Sequence, residues 1–246
     1  MRHLKHKSFP LSSQYDEEWL LSLDMGPNPL WLLEDLLSDT QIDAGMRVLD
    51  LGCGKGATSV FLAKETNAEV WAADLWIDAE RNETTFRELG VGDHVHAVHA
   101  DARSLPFDEG FFDVVVCIDA WEYFGTDDHY LPYLLKYVKK GGHIAFATPA
   151  MREDPRDINY IPDHIEKVVG WEALGWHTAD WWRQQWSLGG LVEVTSARLQ
   201  DGGWEDWLRW AKAVAETNPA AIESVEMLEA DHGKLLTFAL VSGRKL

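Results

Sequence analysis

Cysteine is nearly absent from this 246-residue chain, which has only Cys53, in a glycine-rich turn, and Cys117, in an apolar run. Two cysteines at that spacing fit neither a disulfide framework nor a metal site. Bases are also scarce: 22 Lys and Arg face 41 Asp and Glu, for a net charge of -19, and the short Arg2–Lys7 segment is the only basic run. Nucleic-acid surfaces need clustered Lys and Arg to displace counterions from phosphates, so DNA, RNA and bulk anionic membrane are poor partners. The acidity reads as solubility. No apolar stretch reaches the roughly 20 residues of a membrane-spanning helix. The basic start, Met-Arg-His-Leu-Lys-His-Lys, lacks the apolar core of a secretory signal behind it. A reduced, cytoplasmic protein is the expectation. There is no Gly-x-Ser-x-Gly elbow. Among the ten histidines, His94, His96 and His99 share one predicted strand, but period two puts only the first two on one face, so no metal is expected.

What the chain does have is Met46–Ala57. The apolar run Val48, Leu49 and Leu51 leads into glycines at 52, 54 and 56, with Asp50 just before them, and a helix-like segment (58–64) follows. Strand, glycine turn and helix start form the layout with which α/β proteins hold nucleotide-like ligands. Glycine allows positive φ and close approach of a ligand to the backbone. A dinucleotide turn has Gly-x-Gly-x-x-Gly and seats a pyrophosphate on the helix N-terminus. Here Ala57 stands where the third dinucleotide glycine would be, and Asp50 would repel a pyrophosphate while attracting an ammonium.

Apolar runs recur along the chain at Glu69–Asp74, Val95–His99, Phe112–Ile118 and His143–Thr148, with crossover helices over Ala79–Leu89 and Tyr130–Lys139, the latter ending at Gly141-Gly142. Strands rich in Val, Ile and Ala alternating with helices mean a parallel sheet covered on both faces. Residues 1–44 read as an arm of two short helices, the first capped from Ser13-x-x-Asp16 and the second by Asn28 with Pro29 at its first position. Residues 45–150 form a cofactor-binding half. A tryptophan-rich helical insertion or lid spans 151–190, and residues 191–246 supply two last strands (Leu191–Thr195, Leu235–Val241) and helices over Trp204–Glu216 and Pro219–Ala230.

The segment Asp50–Gly56 resembles the first motif of class I S-adenosylmethionine-dependent methyltransferases, and the resemblance runs from about residue 40 to the end. It implies an α/β, doubly wound, mostly parallel seven-stranded sheet with helices on both faces and a helical insertion after strand 5, forming a single domain. It also implies S-adenosyl-L-methionine as donor, S-adenosyl-L-homocysteine as product, and Asp50, Gly52, Cys53 and Gly54 as a cofactor turn. Asp74 ends the second strand about 20 residues past the turn, where an acid can accept both ribose hydroxyls; capping the next helix is the plainer role. By the same resemblance Leu75 and Trp76 flank the adenine, although Trp76 equally reads as core. Asp101 and Ala102 meet the adenine edge, in a stretch that continues to Leu105-Pro-Phe107. Asp119 ends the fourth strand, facing the methionine part of the cofactor or the acceptor, or else capping a helix. Tyr15 lies in an arm segment resembling one that folds over the cofactor.

Methyl transfer from a sulfonium is an in-line displacement with a good leaving group, so alignment and desolvation dominate. A protonated amine or a hydroxyl acceptor also needs a base. Glu122, Tyr123, His129 and His164 are candidates without a motif to single one out. Trp171, Trp176, Trp181, Trp182 and Trp186 suggest a stacking pocket, but near-helical spacing more often means packing. The expected function is methyl transfer to a small-molecule acceptor; the alternative is a silent or regulatory binder of the same cofactor. Acceptor atom and oligomeric state are left open.

Overall fold

The computed structural model describes residues 4–246, so the start of the Arg2–Lys7 segment lies outside the described residues. Two short helices come first, α1 (Glu17–Ser22) and α2 (Pro29–Leu36). Asp16 caps α1 by accepting from the Trp19 N–H, whereas the Ser13 hydroxyl turns back to the carbonyls of His6 and Phe9. Asn28 caps α2 with Pro29 at its first position. There follow β1 (Arg47–Leu51), α3 (Ala57–Thr66), β2 (Glu69–Asp74), α4 (Ala79–Glu88), β3 (Val95–His99), β4 (Phe112–Ile118), α5 (Tyr130–Leu134) and β5 (Val138–Met151). The chain then forms α6 (Pro155–Ile158), α7 (Asp163–Val169), α8 (Ala179–Leu188), β6 (Val192–Leu199), α9 (Gly203–Ala215), α10 (Ile222–Asp231) and β7 (Leu236–Lys245).

The seven strands form one sheet in the order β3-β2-β1-β4-β5-β7-β6. The first five are parallel and β7 runs antiparallel to both neighbours. Strand order reverses between β1 and β4, the place where open α/β sheets hold ligands at their carboxyl edge. Alternation splits the core over two faces. Val114 and Val116 of β4 pack toward α2 and α3, while Val115 and Cys117 pack toward α5 and α8.

Two expectations need correction. The helix over Tyr130–Lys139 stops at Leu134, and Gly141-Gly142, read as its end, lies inside β5. These glycines mark a register shift beside β4, and a Cβ on Gly142 would stand 2.7 Å from the Asp113 carbonyl oxygen. The second concerns the insertion. Trp182 and Trp186 are fully buried against Phe146, with ring centroids 5.1 and 5.2 Å away. Helix α8 is thus a crossover helix clamped to the sheet, and only the segment before it stands over the carboxyl edge.

Candidate active site

The glycine turn after β1 is bolted to β2. The N–H groups of Gly52 and Cys53 both donate to the Ala73 carbonyl, at 2.8 and 3.1 Å. Gly52 has φ +74°, and a Cβ there would come within 2.6 Å of the Ala120 Cβ. The Gly54 N–H donates to Asp74 Oδ2 at 2.8 Å, and Asp74 Oδ1 accepts from Trp76 and Ile77 at 2.7 and 2.9 Å. Asp74 therefore braces both the turn and the entry to α4 while lining the cavity beyond. A carboxylate oxygen has two lone pairs, so bracing leaves room for a ligand hydroxyl.

That cavity, of about 310 Å³, opens at the carboxyl ends of β1 to β4. All but two of the residues read as cofactor-binding line it, from Gly52 round to Asp119. The first exception is Tyr15. Its hydroxyl donates to Glu65 Oε1 at 2.9 Å and its ring stacks on Phe61, on the outer side of α3. The arm does reach the cavity, but through Leu23, Met25, Gly26 and Pro27. Lys55 holds this loop by donating to the Asp24 carbonyl at 3.0 Å, and the Trp210 indole donates to the Gly26 carbonyl at 2.9 Å.

The second exception is Asp50. It is fully buried and accepts the hydroxyls of Thr58 and Ser59 at 2.6 and 2.5 Å, leaving Oδ1 without a partner. The pleat explains this: Asp50 shares a face with Val48, under α3, whereas Leu49 and Leu51 point the other way. Burial pushes its carboxyl up to about 6. Asp50 lies beneath the turn and does not line the cavity.

Trp76 is 67 % exposed at the mouth, edge-on to Tyr123 with centroids 5.5 Å apart, which rules out the core reading. Both Asp101 oxygens are held by the Arg103 guanidinium at 2.9 and 2.7 Å, which keeps its carboxyl down at about 2. Asp119 adopts φ +56°, a left-handed conformation that Asp tolerates better than most residues and that collects at functional sites. It caps no helix, since the 3-10 turn Trp121–Tyr123 begins at Ala120 without a side-chain bond. Burial, then the nearby Glu122, Asp24 and Glu172, push its carboxyl well up.

A second cavity, also of about 310 Å³, shares Met25, Gly26, Pro27, Asp119 and Tyr123 with the first, so the two adjoin. Its far walls are Glu122, Glu172, Trp176, Trp207 and Trp210. Glu122 is 8 % exposed and accepts the Thr148 hydroxyl; burial pushes its carboxyl up to about 7. The Tyr123 hydroxyl donates to Glu172 Oε2 at 3.5 Å. Of the base candidates, Glu122 and Tyr123 line this space. His129 sits on neither wall, at the start of α5, and His164 pairs with Asp231 at 3.3 Å. Among the described residues no group of three or more His, Cys, Asp or Glu could hold a metal ion. The loop 23–27, Glu172 and the α9 tryptophans escaped the sequence reading; only Gly26-Pro27-Asn28-Pro29, a rigid turn between two helices, carried a visible signal.

A family model described as "Methyltransferase domain" matches residues 48–142, the stretch from the glycine turn to β5. This stretch, less than half of the chain, is thus similar to a methyltransferase domain. Demethylmenaquinone methyltransferase of Clavibacter sepedonicus is 37 % identical over 142 residues, covering 56 % of this chain and 56 % of that protein. The chain spans about half the length of the curated relatives it matches. The fold is similar to geranyl diphosphate C-methyltransferase from Streptomyces coelicolor A3(2), solved with Mg²⁺, geranyl diphosphate and S-adenosyl-L-homocysteine, at TM-score 0.70 and 18 % identity over 87 % of this chain and 78 % of that one. It is equally similar to the [4+2]-cyclase SpnF, at TM-score 0.69 and 18 % identity over 87 % and 80 %.

Proposed function

We propose that the chain is an S-adenosylmethionine-dependent methyltransferase acting on a small molecule. The observation that carries the reading is the pair of adjoining cavities that share Asp119, one beside the glycine turn and one beyond it. Fold alone would not do, because SpnF, a [4+2]-cyclase, has a similar architecture.

The first cavity suits the donor in shape and charge. Gly52 and Gly54 leave backbone room that a Cβ would fill. Asp74 is placed for the ribose, Trp76 and Leu75 for one face of the base, Asp101 and Ala102 for its edge, and Asp119 for the positively charged end. The cations on its wall are committed elsewhere, Lys55 to loop carbonyls and Arg103 to Asp101, which disfavours a pyrophosphate. Once bound, S-adenosylmethionine supplies an electrophilic methyl group on a sulfonium. The protein's part is to align the acceptor, exclude water and accept a proton where the acceptor carries one. Glu122 is the group on the acceptor side able to do so; burial pushes the Tyr123 phenol up, and its hydroxyl stays a donor to Glu172.

The chain would act as one domain in which residues 1–44 and the segment before α8 close over a core built from 45–150 and 191–246. A cytoplasmic location is proposed from the two free buried cysteines. Among the described residues no helix is long and apolar enough to cross a membrane. The acid excess supports a small-molecule acceptor over nucleic acid or an anionic membrane.

Calorimetric titration should give saturable S-adenosylhomocysteine binding that Asp74→Ala abolishes, with no binding of reduced nicotinamide dinucleotide. Labelled S-adenosylmethionine incubated with a metabolite extract should then yield labelled product. Cofactor binding without any label transfer would convert the reading to a silent binder, and nicotinamide binding in its place would sink it.

A further inference from the structure

Four carboxylates, those of Asp24, Asp119, Glu122 and Glu172, line the second cavity, and no lysine, arginine or histidine does. Lys55 lines the first cavity and donates to backbone carbonyls, and of the four acids its charge acts on Asp24. Among the described residues none of the four forms an ion pair. A buried carboxylate without a counter-charge is costly and demands protonation or a cation; Glu122 is buried here, and Asp24, Asp119 and Glu172 are half-buried around it. Their neighbours respond accordingly: burial and mutual repulsion push the carboxyls of Asp119 and Glu122 up, and burial raises Asp24.

The remaining walls are aromatic. Trp176 and Trp207 stand with ring centroids 5.6 Å apart, and Trp210 and Tyr123 border the same space. Indole faces attract cations and stack on flat apolar groups. Glu122 is nine-tenths buried and held in place by Thr148, so its charge is aimed rather than free to swing into solvent. At about 310 Å³ the space is at the small end of ligand sites.

We propose that this second cavity takes a small organic amine, bound as its ammonium ion, and that the amine nitrogen is the methyl acceptor. The inference rests on the methyltransferase reading above and deepens it. Asp119, which belongs to both cavities, draws the ammonium to their junction, and the tryptophans enclose its carbon frame. The ammonium proton passes to the Glu122 carboxylate and frees the nitrogen lone pair. The N–C bond then forms as the donor's C–S bond breaks, that electron pair staying on the departing thioether sulfur. An anionic acceptor would meet four acids and no base.

The test is calorimetric titration at pH 7.5 of protein saturated with S-adenosylhomocysteine, using phenethylamine and ethanolamine, their neutral counterparts phenethyl alcohol and ethylene glycol, and the anion phenylacetate. At least one amine should bind ten-fold or more tighter than its neutral counterpart, and phenylacetate should not bind. Glu172→Gln and Glu122→Gln should each weaken the amine at least ten-fold while leaving S-adenosylhomocysteine affinity within two-fold, which also reports that the variants fold. Equal binding of amine and alcohol overturns the proposal, as does binding of phenylacetate, or of pyrophosphate once Mg²⁺ is added. Cofactor binding with no amine binding overturns the amine alone. Failure of S-adenosylhomocysteine itself to bind removes the methyltransferase reading and this inference with it.

Discussion

Replacing Glu122 by Gln should stabilise the ligand-free protein at alkaline pH and do so several-fold less near pH 5. Glu122 follows β4 in the buried turn Trp121–Tyr123, at 8 % exposure. Burial pushes its carboxyl from 4.5 to about 7; the Thr148 hydroxyl bond pulls the other way, and the nearby Glu172 adds to the rise. A carboxyl raised in the folded state holds its proton where the unfolded chain has released it. Its contribution is therefore fully present below about pH 4.5 and is lost as pH rises through 7. Glutamine keeps the neutral form at every pH and, being isosteric, can still bond Thr148. A rise from 4.5 to about 7 corresponds to about 3 kcal/mol at full ionisation. For a chain of this length each kcal/mol moves the melting temperature by roughly 2–4 °C, so the variant should melt about 6–12 °C higher at pH 8.5. Scanning calorimetry of both proteins at pH 5 and pH 8.5 reads this directly. An equal shift at the two pH values, or a variant less stable at pH 8.5, would refute the reasoning, because either means that Glu122 is not a desolvated charge.

Three further outcomes follow from the packing. Gly52→Ala forces a side chain into the left-handed region, at about 1–2 kcal/mol, and brings Cβ within 2.6 Å of Ala120. Its melting temperature should fall and S-adenosylhomocysteine affinity should drop more than ten-fold by calorimetric titration; an unchanged affinity would detach the turn from the donor site. Trp186→Ala empties a fully buried site between α8 and the sheet, and urea unfolding should show a loss of about 3–5 kcal/mol. Trp171→Ala, at a residue 75 % exposed, should stay within about 0.5 kcal/mol; equal losses would restore the lid reading of α8. Tyr15→Phe removes a hydroxyl whose partner is Glu65 on the outer side of α3, so S-adenosylhomocysteine affinity should change less than two-fold. A ten-fold loss would return Tyr15 to the site.

The donor side was legible because a parallel sheet does the assembling. Every strand that runs the same way delivers its next residues to one edge, so the turn after β1, Asp74, Asp101 and Asp119 converge once the strands are recognised. The strands were recognisable because residues such as 114–118 are apolar on both faces and end in polar turns. Side-chain direction was harder. Asp50 directly precedes the turn and Tyr15 lies in the arm, yet each packs against α3 instead of lining the cavity, one by the pleat of β1 and the other by stacking on Phe61. The β5 boundary failed because Gly141-Gly142 gives the same local signal for a helix end and for a strand irregularity.

The acceptor side was hidden for a different reason. Its walls come from the loop 24–27, from Glu172 and Trp176, and from one edge of α9, and each piece alone reads as packing or as solvated charge. Trp207 and Trp210 are 8 % and 1 % exposed, so the same rings that fasten α9 to the core also face the cavity. A net charge of -19 reads as solubility when it is counted over the chain. Charge that serves solubility faces water. The acids at 24, 119, 122 and 172 instead line one cavity that no Lys, Arg or His borders, next to the cavity at the glycine turn. Acid count alone could not separate these from the rest. Their convergence on one cavity, which only the fold brings about, is what sets these acids apart from the rest.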